Sequence, residues 1–566
     1  MQTAEESGLV KPYRRLFALL VGLVALTLYL ALFVFRSYDD NRLTSWRWAF
    51  DQGDILWLFP TLATGLAIAY LVSGMSLPYR WRMPVLFLSA FAAATPMWGM
   101  PELIVDTARY FVQAKYLELY GVGYFLREWG GEISAWTDLP LGPFLYGLAF
   151  SLFGEARVVA QTLSTLLFAG TAITTWLIGR SLWNDTVGGV AGALLLAMPY
   201  LLTQTALMLV DVATMFFLSL AVFVTIKAAR DGGIGYLAVA PVTITLAMIS
   251  KYSTWLMLSV LPVIVLVHMS RNWRPAMARG VAMGLSTILL AGMLALLKFD
   301  VVTGQIELLW DYQWPGLSRW EESLVSTFLF QVHPFVTLAA LCSVTVAIAR
   351  RDRRYAIVAW MLLLVVVLGI KRARYILITL PMLALMASYA LSEISDGRLR
   401  RFIVSCAVVT TLITALFGYL PQLKSTSGAN LVAAAKRLDA MESKRVEVFT
   451  LAQNRSIVNP AVLVPILDLY TVKQLVYRQD ELPTPPWSTV STSPLRFSWE
   501  FNRPSYYRSA TPTSGDAVAV IASHPGQALP DNVKKRIEAL QPLGAFESSD
   551  SMFRFKALAY LYGPNR

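Results

Sequence analysis

The chain has 566 residues, 56% of them hydrophobic and only 15% charged, with a mean hydropathy of +0.54. Soluble domains carry about 25% charged residues, so a purely aqueous globule is excluded and the bilayer is the expected solvent. The formal charge of +12 would suit nucleic acid, but most Lys and Arg sit in short loops between apolar runs, where such residues set membrane orientation, and no nucleic-acid partner is expected.

The N-terminal stretch MQTAEESGLVKPYRR precedes an apolar run without a small-residue cleavage site, which reads as an uncleaved first span. A helix needs about 20 apolar residues to cross the hydrocarbon core. Runs that approach this length fall at 16–36, 55–75, 83–100, 156–179, 186–204, 211–229, 234–250, 253–270, 277–297, 326–348, 355–371, 375–394 and 402–420. The fold class expected is therefore a polytopic α-helical membrane protein with about thirteen spans. Seventeen Trp and 24 Tyr suit aromatic belts at the two interfaces. The two cysteines, Cys342 and Cys406, lie inside apolar runs and give no support to a disulfide framework or a thiolate metal site.

Basic residues in short loops favour the cytoplasmic side. With Lys11, Arg14 and Arg15 inside, Arg80 and Arg82, Arg180, Lys227 and Arg230, Arg271 and Arg274, Arg350 to Arg354, and Arg398 to Arg401 also fall inside. That places the N-terminus in the cytoplasm, and 101–155, 298–325 and everything after about 421 outside. Segment 139–153, LPLGPFLYGLAFSLF, is short and rich in Pro and Gly, so 101–155 reads as helices lying along the outer interface. After 421 the apolar runs shorten to strand length, as in VEVFTLA (446–452) and AVAVIAS (517–523), with a helical pattern at 531–541 and a strand-like stretch near 552–560. The expected organisation is an N-terminal hairpin region over 1–82, a membrane domain over 83–421 and an extracytoplasmic α/β domain over 422–566.

Ionisable residues at membrane depth or on the outer face break the orientation pattern and are candidates for function. Asp106 in PELIVDTARYFVQAKYL is followed in helical phase by Arg109, Tyr110 and Lys115. A carboxylate at the mouth of a bundle can deprotonate a hydroxyl, while cations beside it can hold a phosphate; the plain alternative is a solvated acid near a helix start. Asp138 opens the second interfacial segment, and Asp211 in LMLVDVATMFF has no loop to solvate it and wants a partner. Lys251 in MISKYSTW and the group Lys371, Arg372 and Arg374 in GIKRARYILITLP occupy external turns, where a snorkelling lysine or a local error in the assigned topology competes with anion binding. Together these cations suit a lipid phosphate, whose oxygens match the guanidinium fork. His333, with Asp138, could hold a divalent metal, against the simpler reading of a hydrogen-bonded interfacial histidine.

The string DTARYFVQAKYL, followed by WTDLPLGPFLYGLAFSLFGEARVVAQTLS, resembles the lipid-linked glycosyltransferases of the GT-C fold, in particular aminoarabinose-lipid A transferases and protein O-mannosyltransferases. The likeness covers about residues 83–420. It implies that Asp106 is the catalytic Asp, Asp138 the second acidic position and Asp211 the later one, with Lys251 in a Lys-Tyr-Thr-like turn and Arg374–Tyr375 in an Arg-Tyr-Leu/Pro-like segment. Thr107 stands where these families carry the Glu of an Asp-Glu pair, and two spans precede the first external loop where they generally have one.

The implied reaction moves a sugar from a polyprenyl phosphate to a lipid, glycan or protein hydroxyl on the outer face of a bacterial cytoplasmic membrane, with inversion, Asp106 acting as general base. A transporter or flippase of an anionic or lipid-linked substrate would instead show inverted repeats and broken helices at mid-membrane. A polysaccharide polymerase or ligase would share the donor chemistry. A membrane anchor serving the C-terminal domain would not need so many charges in the bundle.

Overall fold

The computed structural model describes residues 6–564 apart from 43, 271, 317–321, 427, 452–457, 479–486, 494, 509–515 and 549–556, with side chains from residue 15 onward. The chain divides into two compact units. The first comprises 1–97, 164–206 and 210–422, and the second 98–163, 207–209 and 423–566.

The first unit is helical. Among the described residues seven helices of the chain are long and apolar enough to cross a membrane: Arg15–Tyr38, Ile55–Ser73, Arg157–Leu182, Val210–Arg230, Trp273–Leu297, Ala373–Leu391 and Gly397–Leu423. Counting each of three broken helix pairs as one span raises this to ten, against the thirteen or so expected. Two of the pairs lie wholly in this unit, Asp185–Ala197 with Pro199–Thr205 and Leu324–Gln331 with Pro334–Arg350, bent by 71° and 120°. Each resumes on a proline, which lacks the N–H needed to continue a helix and pushes the preceding residue to extended backbone.

The expected spans 234–250, 253–270 and 355–371 fall on helices of at most 17 residues, Ile234–Met248, Ser253–Met269 and Tyr355–Val367. The apolar run outlasts the helix at each, because hydropathy does not register where the backbone stops being helical. Ala18, Ala25, Leu66, Ala69, Phe402 and Cys406 form one core between Glu6–Phe35, Ile55–Ser73 and Gly397–Ile413, where the small alanines let the helices approach. Trp273–Leu297, by contrast, leaves Leu285, Ile288, Leu289, Leu296 and Leu297 largely exposed, as a lipid-facing helix would.

The second unit contains a five-stranded mixed sheet. In chain order the strands are β1 (Arg445–Thr450), β2 (Gln474–Arg478), β3 (Ala517–Ala522), β4 (Leu540–Ser548) and β5 (Ala557–Pro564), arranged β2-β1-β3-β5-β4. The β2, β1 and β3 strands are parallel, and β5 runs antiparallel to both β3 and β4. Every residue of β3 is buried, which is why AVAVIA reads as an unbroken apolar run.

The expected strands near 446–452 and 517–523 are present. The helical pattern at 531–541 stops at Ile537, because Pro542 and Gly544 follow and the chain joins the sheet as β4 from Leu540. Part of the strand-like stretch near 552–560 lies outside the described residues, and its end forms β5. Helix Leu463–Tyr470 lies between β1 and β2 in sequence and packs on Ile104–Glu128, which in turn packs on Leu141–Phe153. At that second crossing a Cβ on Gly147 would come 2.7 Å from the Ala114 carbonyl oxygen and from Leu117, so only hydrogen fits.

Candidate functional site

In the second unit, Asp106 and Arg109 share a face of Ile104–Glu128 because three residues is close to one helical turn. Arg109 is 5% exposed, and its Nη2 lies 2.9 Å from Asp138 Oδ1 and 3.4 Å from Asp106 Oδ1. Asp138 is buried and also receives Gln113 Nε2 at 3.4 Å, whereas the Asp106 side chain is 28% exposed. The guanidinium is further enclosed by the rings of Phe497, Tyr110 and Trp136, at 5.0, 5.7 and 5.9 Å. Trp136 adopts φ 45°, an unusual backbone for a bulky residue, two positions before Asp138. The formal charge of Asp106, Arg109 and Asp138 together is −1. Of the two carboxylates, Asp106 is the more exposed.

Just before this helix, Glu102 is 2% exposed and saturated. Its carboxylate accepts from the Met208 N–H at 2.8 Å, from Arg157 Nε at 2.8 Å and from the Thr107 hydroxyl at 3.2 Å. The Glu102 N–H donates to the Tyr470 hydroxyl at 2.6 Å, while Arg157 also donates to the carbonyls of Trp98 and Met100. Sequence reasoning missed this residue. Its signal was present, as an acid in an apolar stretch four residues before Asp106 and an arginine, Arg157, at the outer start of an apolar run.

Lys115 does not join Asp106. Its Nζ lies 2.6 Å from Asp468 and 3.0 Å from Glu155, and Asp468 also accepts from the Tyr507 hydroxyl at 2.6 Å. Burial, reinforced by the Asp468 charge and only partly offset by Lys115, pushes the Glu155 carboxyl up to about 7.

In the first unit, Asp211 is the second residue of Val210–Arg230 and is fully buried. It does have the partners its sequence context demanded. Lys251 Nζ donates to Oδ1, and Arg374 Nε donates to Oδ2 at 2.7 Å. Arg374 is 6% exposed, whereas the Lys251 side chain keeps 19% exposure. The Tyr375 ring lies 5.4 Å from the Lys251 ammonium and 5.1 Å from the Arg372 guanidinium, and Arg372 Nη1 donates to the Tyr375 hydroxyl at 3.3 Å. Glu322 accepts from the Ala373 N–H at 2.9 Å and fixes this turn. Lys371 is exposed. Asp211, Lys251 and Arg374 carry a formal charge of +1.

The metal pair does not fit. His333 is 1% exposed; its Nε2 is 3.0 Å from the Thr410 hydroxyl, and its Nδ1 accepts from the Phe335 N–H as the cap of Pro334–Arg350. Both ring nitrogens are thus used, and Asp138 is committed to Arg109. Among the described residues no group of three or more His, Cys, Asp or Glu could hold an ion.

Residues 138–297 match the family model described as dolichyl-phosphate-mannose-protein mannosyltransferase. No curated protein sequence matches the chain. Among solved structures, ArnT from Cupriavidus metallidurans bound to undecaprenyl phosphate is similar at a TM-score of 0.55 and 14% identity, covering 84% of this chain and 97% of that one. The apo state of the same protein gives 0.50, 14%, 84% and 97%. The oligosaccharyltransferase AglB from Archaeoglobus fulgidus, in complex with an inhibitory peptide and a dolichol-phosphate, gives 0.48 and 10%, covering 79% of this chain and 70% of that one. The expected resemblance is met: this is a mostly helical chain with a C-terminal sheet domain and the GT-C fold of lipid-linked glycosyltransferases.

Proposed function

We propose that the protein transfers one sugar from a polyprenyl phosphate to an acceptor hydroxyl of a lipid, glycan or protein, on the extracytoplasmic face of the membrane and with inversion. The N-terminus would be cytoplasmic and the 422–566 region external. The observation that carries the reading is the accessible carboxylate of Asp106 beside a guanidinium held more closely by Asp138. A partly exposed acid in a cluster of net negative charge is suited to take a proton.

In this reading Asp106 accepts the acceptor's hydroxyl proton as the new C1–O bond forms. The bond from C1 to the phosphate oxygen breaks on the opposite face, and polyprenyl phosphate leaves with the electron pair. Positive charge builds on the sugar ring and negative charge on the departing phosphate. Lys251 and Arg374, which outnumber Asp211, would stabilise that phosphate, with Arg372 and Lys371 adding positive charge along the same turn. Arg109 and Tyr110 position Asp106. The ArnT structure with undecaprenyl phosphate supports a lipid-phosphate ligand by analogy of fold.

The test is transfer of radiolabelled sugar from a polyprenyl phosphate donor by purified protein. Asp106→Asn is expected to lower the rate by roughly a hundred- to ten-thousand-fold, the range for losing a general base, with the melting temperature nearly unchanged. Wild-type turnover in that variant contradicts the assignment.

A further inference from the structure

A second charged site lies in the first unit, among residues that take no part in the proposed chemistry. A cavity of about 660 Å³ is lined by Arg350, Arg351, Arg353 and Arg354, with Trp183 and Tyr389 on its wall. The four arginines are not equivalent. Arg354 grips Asp352 through Nε at 2.8 Å and Nη2 at 2.9 Å, and Arg350 pairs with Glu393. Asp352 is saturated further by Trp183 Nε1 at 2.8 Å and by the Tyr389 hydroxyl at 3.4 Å. Arg351 and Arg353 are exposed and carry no side-chain ion pair or hydrogen bond among the described residues. Four guanidinium groups against two carboxylates leave two positive charges at the cavity.

Loop arginines that only set membrane orientation need charge and nothing else. This site has three features that such a role does not require. The single acid in the loop is locked by four donors and cannot neutralise Arg351 or Arg353. The Trp183 and Tyr389 rings, 4.9 Å apart, make a firm wall. Arg351 adopts φ 52° and ψ 36°, at a helix C-terminus where glycine is the favoured residue, so its side chain is retained against the backbone preference.

We propose that this cavity binds a phosphate group, which two uncommitted guanidinium forks can engage through paired N–H donors. Two sources share that chemistry, the headgroup of an anionic phospholipid and a soluble phosphate. Basic pockets between membrane helices, edged by interfacial aromatics, suit the former.

The full-length protein is purified in detergent, and retention of phosphatidylglycerol is followed by native mass spectrometry alongside thermal shifts with inorganic phosphate. Wild type is expected to retain the lipid, and R353Q to lower its affinity by about tenfold, the effect of losing a charged hydrogen-bonded contact. R351G removes a guanidinium while relieving the backbone, so it should melt no lower than wild type and still bind more weakly. A thermal shift with inorganic phosphate that R353Q abolishes, without lipid retention, assigns the site to a soluble phosphate. Equal lipid retention and equal phosphate response in wild type, R353Q and R351G overturn the proposal.

Discussion

The two charged clusters of the candidate machinery are built with opposite arithmetic. In the second unit one buried arginine, Arg109, serves two carboxylates, and the looser one keeps solvent access. In the first unit one buried carboxylate, Asp211, serves two cations, of which Lys251 is the more accessible. In each, one member is enclosed while another keeps partial solvent access, and the cluster carries a net charge of −1 in the second unit and +1 in the first. The surplus acid suits proton abstraction, and the surplus cation suits a phosphate.

The sharpest way to break this contrast is to remove the buried member. Asp211→Asn strands Lys251 and Arg374 without their counter-charge, and breaking a buried pair in this way costs about 3–5 kcal/mol. A large drop in melting temperature is expected in thermal unfolding. Glu102→Ala should cost about 2–4 kcal/mol in the same measurement, because Arg157 and the Met208 N–H both lose their acceptor. If Glu102→Ala instead melted like wild type and lost only transfer, the residue would belong with Asp106.

A smaller effect is expected from pH at the Lys115, Glu155 and Asp468 group. The folded pKa of Glu155, about 7, exceeds its unfolded value, so its stabilising protonation is complete below about pH 4.5 and is lost as pH rises through 7. Stability should therefore fall across that window by on the order of 1–3 kcal/mol, and Glu155→Gln should flatten the profile. Unchanged pH dependence in the variant would remove Glu155 from the account. The smallest effect is assigned to Lys371→Ala, within about 0.5 kcal/mol in stability, because the side chain is exposed.

Much of this layout was legible before the structure. Asp211 announced its need for partners by lying between apolar runs with no loop, and Lys251 and Arg374 stood out as cations on the unexpected side. The three-residue spacing of Asp106 and Arg109 gave their shared face. What the sequence could not give were pairings over long separations. Asp468 claims Lys115 from 353 residues away. His333 looked like a ligand until Thr410 and the Phe335 N–H took its nitrogens. Helix length was also hidden, since an apolar run such as 234–250 continues past the end of its helix at Met248. Strand β4 was obscured because its alternation is weak and it holds both Pro542 and Gly544.

The most direct measurement is the affinity of purified protein for sugar-free polyprenyl phosphate in wild type, Asp106→Asn and Lys251→Ala. Asp106→Asn is expected to bind as wild type does, while Lys251→Ala weakens binding about tenfold, the effect of one lost charged contact. Equal loss in both variants, or none in Lys251→Ala, would contradict the division of labour between the two clusters.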